Sequence, residues 1–324
     1  MALVSSHRCF GNARPAPVFP QNEKSCFFGR RRAPDRDLLM RGGAARHRSF
    51  ALVLAGGGVR GLAHAGALRA LEHYGWRPQA IVGVSMGAIV GATYSLNEGW
   101  YGALANLNTS GFPKPVARSH RTLRGRIRNL LASERAFAEM LLGWGVGSAS
   151  LEQGRRLLTA LTQDKNLEDG RIPVVAVATD LISGRRMVLE HGRAADLVYA
   201  SAALAGVLPP FVCGQHLLAD GSYAGAIPVD VARSFGTERV MVIYPSQVHL
   251  PHSVHNGFEA MRRAEDISLS AQAQVHLKEA DFVLVPNFPC LIDALDFRHK
   301  RLCVARGARV VRDNLPSLRR LLDH

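Results

Sequence analysis

Apolar residues in this chain come in short continuous runs separated by stretches of helical spacing. Ser49–Leu54 is an apolar run that ends near three glycines, Gly56 to Gly58, and it reads as a buried strand. Leu62, Ala65, Leu68, Ala70 and Leu71 then recur at helical spacing, and Gly75 and Pro78 stop the pattern. Ala80–Val84 predicts a second strand and Met86–Leu96 a helix of small and apolar residues. Strand–turn–helix, twice over, is the order of a parallel sheet covered by helices. Further along, Leu151–Leu161 predicts a helix and Val174–Ala178 a strand, and residues 179–192 predict a hairpin turning at Ser183-Gly184. Arg239–Tyr244 and Phe282–Val285 predict strands on either side of a long helix over 258–280. A basic amphipathic helix, disturbed near Pro316, closes the pattern, and no internal repeat is present. The fold class expected is α/β, with three α/β/α layers around a mostly parallel central sheet.

Two segments break this pattern. Residues 99–133 contain no acid, and their Pro and Gly residues suggest an insertion or lid. The first 48 residues have no apolar period and carry ten Lys/Arg against Glu23, Asp35 and Asp37, a balance of +7. That is half of the chain's net charge of +14. Such a composition predicts a disordered basic tail over 1–48, ahead of one domain over 49–324.

Charge and composition narrow the function classes. No apolar stretch reaches the roughly 18–20 residues that span a bilayer. The tail also lacks the apolar core of a secretory signal. A cytoplasmic protein is expected, with peripheral contact to membrane. Nucleic-acid binding is not expected, because half of the excess charge sits in the tail and no stacking-aromatic pattern accompanies it. No Cys or His spacing suits a metal site, so no metal and no cofactor are expected.

The stretch "LVLAGGGVRGLAHAG" (52–66) has the spacing Gly56-x-Gly58-x-x-Gly61 of a dinucleotide loop. Such a site also needs an acid about 20 residues on, at the end of the second strand. Between Gly61 and Asn97 the only carboxylate is Glu72, inside the first helix. At the end of the second strand stands Ser85, in Gly83-Val84-Ser85-Met86-Gly87. This is the G-x-S-x-G pattern of a nucleophile elbow, in which flanking glycines leave room for a sharp strand-to-helix turn. A plain helix N-cap would not need both glycines. Parallel strands bring their C-terminal ends together, so the Gly56–Gly58 amides would lie beside Ser85 and could hold an oxyanion. Arg60 would add positive charge there or anchor the loop.

A serine nucleophile needs a proton acceptor. His249, His252 and His255 are the late histidines that a triad would use, and they cluster in a polar stretch. His64 reads as a packed or hydrogen-bonding helix residue. Asp220 ends an apolar strand and is followed by Gly221, which permits a sharp turn toward Ser85. Asp180 also ends a strand, and spacing does not choose between the two.

"GGGVRG", "GVSMG", "SAALAGVLPPF" and "ADGS" occur in the order found in the patatin-like phospholipases. Over roughly residues 49–310 the chain resembles this family, in its bacterial branch related to the neuropathy target esterase catalytic domain. The resemblance implies a Ser–Asp dyad without a catalytic histidine, an acyl-enzyme intermediate and a lipid ester substrate. It assigns Ser85 as nucleophile, Asp220 as base and Gly56, Gly57 and Gly58 as oxyanion donors, supported by Arg60, Gly61, Gly83, Gly87 and Gly221. Two positions depart from the family pattern: Ser222 follows Gly221 where Gly or Ala is usual, and Ala205 replaces a proline. The alternatives are an esterase or acyltransferase on soluble esters and a weakly active lipid-binding regulator. The six Lys/Arg of 113–128, interleaved with apolar residues, suit an anionic membrane surface.

Overall fold

The computed structural model describes residues 47–107, 148–247, 253–254 and 257–323. Most of the tail, the basic segment 113–128 and His249, His252 and His255 lie outside these residues.

The predicted elements form in the predicted order. Strand β1 (Phe50–Leu54) leads through the glycine turn into α1 (Ala63–His73). Strand β2 (Ala80–Val84) leads through Ser85 into α2 (Met86–Leu96). Short α3 (Trp100–Ala105) and α4 (Ser148–Thr162) precede strand β3 (Val174–Asp180), which turns at Gly184 into β4 (Arg186–Leu189). Then come α5 (Ala194–Ala202), β5 (Phe211–Cys213), β6 (His216–Asp220), α6 (Ser222–Gly225) and α7 (Val229–Arg233). Strand β7 (Arg239–Ile243), α8 (Gly257–Leu277), β8 (Phe282–Leu284), α9 (Lys300–Asp313) and α10 (Leu315–Leu322) complete the described elements. Pro316 sits in the first turn of α10, where its missing N–H costs nothing, so the predicted disturbance is a boundary between two helices.

The eight strands among the described residues form one sheet in the order β5-β6-β3-β2-β1-β7-β8, with β4 paired to β3. β3, β2, β1, β7 and β8 run parallel, and the β4, β5 and β6 pairings are antiparallel. Strand residues alternate between two cores. Phe50, Leu52 and Leu54 of β1 face the side packed by α1, α2, α5 and α9. Ala51 and Val53 face the side packed by α7 and α8. Both faces are buried, which is why the strands read as continuous apolar runs.

One detail of register decides where the site forms. Ala176 and Val177 of β3 pair with both β2 and β4, and Ala178 and Thr179 pair with both β6 and β4. A strand has two edges, so β4 occupies one of them and β2 and β6 share the other. They approach along it from opposite ends. β2 stops at Val84 opposite Val177, and β6 stops at Asp220 opposite Ala178.

The ends of the described domain are tied together. His47 Nδ1 meets Asp323 Oδ1 at 2.9 Å, Trp76 Nε1–H donates to the same oxygen at 2.8 Å, and Arg48 N–H donates to Leu322 O at 2.7 Å. His47 and Arg48, assigned from sequence to the tail, are thus joined to the C-terminal helix.

Helices α1 and α9 touch backbone to backbone. A Cβ on Gly307 would lie 1.8 Å from Ala63 O, and one on Gly66 would lie 1.8 Å from Val304 O. Gly307→Ala must push the helices apart, and overpacking of this kind costs about 1–3 kcal/mol even though Ala is the better helix former. Gly154 in α4 has open space where its Cβ would be, so Gly154→Ala is expected to gain up to about 1 kcal/mol. Urea unfolding of both variants checks this contrast; equal effects at the two sites would refute the helix-contact account.

Candidate active site

Ser85 occupies the turn between β2 and α2 with φ 54° and ψ −122°. A non-glycine residue at positive φ is strained, and such strain persists only where the surroundings impose it. Here the flanking glycines admit α2. A Cβ on Gly83 would lie 2.4 Å from Ala88 Cα, and one on Gly87 would lie 2.0 Å from Leu54 O. The α2 N-terminus therefore points at Ser85 and adds positive partial charge there.

The glycine turn after β1 lies against the elbow. Gly58 has φ +56°, and a Cβ there would meet Ala294 O at 2.3 Å. Val59 N–H donates to Ala294 O and Arg60 N–H to Gly57 O, whereas the N–H groups of Gly56, Gly57 and Gly58 make no hydrogen bond within the described residues. These amides line the same cleft as Ser85 and Asp220. A Cβ on Gly56 would lie 2.7 Å from Ser222 Oγ, and one on Gly61 2.7 Å from Met86 Cβ, so Gly56 leaves room for the Ser222 side chain and Gly61 lets the turn close on the elbow. Arg60 Nε–H donates to Gly57 O at 3.2 Å and its Nη1 to Gln247 Oε1 at 3.5 Å. It anchors the loop, and burial lowers its guanidinium pKa. His64 is fully buried and gives Nε2–H to Ala55 O at 2.7 Å. Burial pushes its pKa down to about 4, so the ring is neutral and braces the glycine turn.

Asp220 ends β6 with 4% exposure. A Cβ on Gly221 would lie 2.0 Å from Val177 O, so only glycine lets the chain turn against β3 at this point. The Asp220 carboxylate interacts with the Ser85 hydroxyl and accepts the Ser222 N–H at 2.9 Å. Burial raises its pKa, while the bonds from Ser85 and Ser222 pull it part of the way back. Any residue at 222 could give that N–H; the Ser222 side chain, the departure from the family pattern, adds a hydrogen bond of its own to the carboxylate.

Asp180, which sequence left level with Asp220, has another task. Its carboxylate accepts from Ile182 N–H, Leu217 N–H and the Ser183 hydroxyl and pairs with His216, which together hold its pKa well below the usual range. It fixes the β3–β4 turn and does not line the cleft.

The cleft encloses about 230 Å³. One wall is apolar, with Met86, Ile89, Leu158, Tyr199, Leu204 and Leu208. Arg262, Arg263, Glu265 and Asp266 of α8 form a charged wall. Sequence reading missed this charged wall and Tyr223, whose hydroxyl accepts Ala205 N–H at 3.1 Å. The charged turn of α8 looks like any solvated helix face, and only packing reveals what it lines. Chemically, the arrangement offers a hydroxyl that can pass its proton to a buried carboxylate beside unpaired amides.

The fold and the site define an α/β protein built around a strand–serine–helix elbow. A family model described as patatin-like phospholipase matches residues 52–233, which include both Ser85 and Asp220. Human patatin-like phospholipase domain-containing protein 6 is 31% identical over 246 residues, covering 74% of this chain and 16% of that protein. Lysophospholipase NTE1 of Mycosarcoma maydis is 31% identical over 195 residues, covering 60% of this chain and 10% of that one. The chain thus spans only a small part of the curated relatives' length. Among solved structures, VipD from Legionella pneumophila aligns over 85% of this chain and 67% of its own, at 13% identity and TM-score 0.41. The chain belongs to the patatin-like phospholipase family.

The raised pKa of Asp220 has a consequence for stability. An unfolded aspartate titrates near about 3.9. The folded state holds its proton to higher pH, so stability is greatest below the unfolded value and is lost as pH rises through the folded one. Asp220→Asn keeps the acceptor for Ser222 N–H and removes that penalty. It is expected to melt at or above the parent's temperature at neutral pH, with the gap closing toward pH 4. A variant that melts lower by the same margin at every pH would contradict this.

Proposed function

We propose that the protein hydrolyses acyl esters of lipids through a Ser85–Asp220 dyad. The observation that carries this reading is the strained serine at a helix N-terminus, facing a buried carboxylate in a cleft with one apolar wall. Asp220 takes the Ser85 proton as Oγ attacks the ester carbonyl, and the Gly56, Gly57 and Gly58 amides hold the oxyanion. The tetrahedral centre collapses, the alcohol leaves with the proton, and an acyl group remains on Ser85. Water, its proton taken by Asp220, then frees the fatty acid. The apolar wall fits the acyl chain. Among the described residues no helix is long and apolar enough to cross a membrane, so lipid is met at the surface of the bilayer in this reading. The 113–128 segment, outside the described residues, supplies the basic charge for that contact.

Asp220 acts as a base only when ionised, so kcat/KM is expected to fall on the acid side with a midpoint above the ordinary aspartate value of about 3.9. A midpoint at or below that value would count against Asp220 as the base.

Ser85→Ala and Asp220→Asn are each expected to lower hydrolysis of a lysophospholipid and of a short soluble ester by about 10³-fold or more, with folding intact. His249, His252 and His255 changed to Ala should keep most activity. Loss of turnover in a folded histidine variant would replace the dyad with a triad.

A further inference from the structure

The segment that begins at Ser201 has no task in the dyad, yet its first hydroxyl is fully buried at the junction of β2, β3 and β6. In a parallel pair, alternate residues of a strand bond to its neighbour. Ile81 N–H donates to Pro173 O at 3.0 Å, so the same alternation carries the next donors to Gly83 and then to Ser85, opposite Val177 O. The direct bond at Ser85 is replaced. Ser85 N–H donates to Ser201 Oγ at 2.9 Å, and the Ser201 hydroxyl donates to Val177 O at 2.6 Å.

We propose that Ser201 is the positioning residue of the dyad, its hydroxyl standing in for the last ladder bond of β2 so that Ser85 is held clear of the sheet and against Asp220. The proposal rests on Ser85 being the nucleophile.

Three features support it. A direct bond to Val177 O would keep Ser85 in the line of the strand. The interposed oxygen lets the chain leave the sheet at φ 54° without orphaning either backbone group. The same helix end also holds the base: Gly221 N–H donates to Ser201 O at 3.1 Å, and Asp220 N–H donates to Ala203 O at 2.9 Å. Residues 201–203 therefore bond to the backbone on both sides of the dyad. Finally, a hydroxyl has one proton to give, and Ser201 gives it to Val177 O. It has none for substrate, which makes it a positioning group and not a catalytic one.

Small displacements of reacting groups cost about 10²-fold in rate. Ser201→Ala is therefore expected to lower kcat by about 10- to 100-fold, with KM changed by no more than about twofold. Labelling of Ser85 by a fluorophosphonate should slow by a similar factor. Ser201→Thr, which keeps the hydroxyl, should restore most of the rate. Val198→Ala leaves a cavity in the same buried helix but keeps the hydroxyl bridge, and it should show normal kcat at a temperature where circular dichroism reports it folded. A folded Ser201→Ala with parental kcat and labelling rate overturns the proposal, as does an equal kcat loss in Val198→Ala. If Ser201→Ala does not fold, Ser201→Cys, a near-isostere with a weak donor, replaces it, and a parental rate in that variant overturns the proposal. Retained activity in Ser85→Ala would instead overturn the proposed function.

Discussion

The structure turns on the shared edge of β3. Two strands reach that edge from opposite ends and stop one residue apart, β2 at Val84 and β6 at Asp220. Neither can continue without running into the other. The chain must leave the sheet twice at nearly the same point, and each exit needs a small residue. Gly83 and Gly87 make room for the first, and Gly221, against Val177 O, makes room for the second. The serine and the aspartate are the residues left facing one another where the strands break off. Their proximity follows from the sheet, with no flexible loop needed to bring them together.

The same junction concentrates electrostatic stress. Asp220 is buried where its charged form is poorly solvated, and Ser85 holds a backbone angle that costs of order 1–3 kcal/mol. A fold optimised only for stability would keep neither. The neighbouring braces, with neutral His64 under the glycine turn and Arg60 across it, are spent on holding the geometry. Asp180 is the contrast. It is as buried as Asp220, but every bond around it favours the charged form, so it serves the turn and is spent there.

Much of this was legible in the sequence, and the parts that were not share a cause. The parallel strands were visible because both faces are buried and their apolar runs are unbroken. The elbow was visible because its constraint is local: glycines two residues to either side of a serine after a strand. The choice between Asp180 and Asp220 was not, since both end apolar strands and the difference lies in their partners: Asp180, at the end of β3, is taken up by its own turn and by His216, whereas Asp220, at the end of β6, stops beside the end of β2. Ser201 lay inside a motif that was noticed, but its partners Ser85 and Val177 are distant in sequence. The charged wall of α8 has no sequence mark at all. What sequence hid were relations between residues far apart along the chain, set by how strands share edges and by how helices pack beside the cleft.

The clasp of His47, Arg48 and Trp76 on Leu322 and Asp323 bears on the domain's stability. His47 and Arg48 precede β1 and Trp76 precedes β2, at the N-terminal ends of the parallel strands, whereas the elbow lies at the C-terminal ends. The first and last described residues are neighbours, and none of the clasp residues lines the cleft. A change at the clasp would therefore act on that stability from the end of the sheet opposite Ser85 and Asp220, without touching either residue.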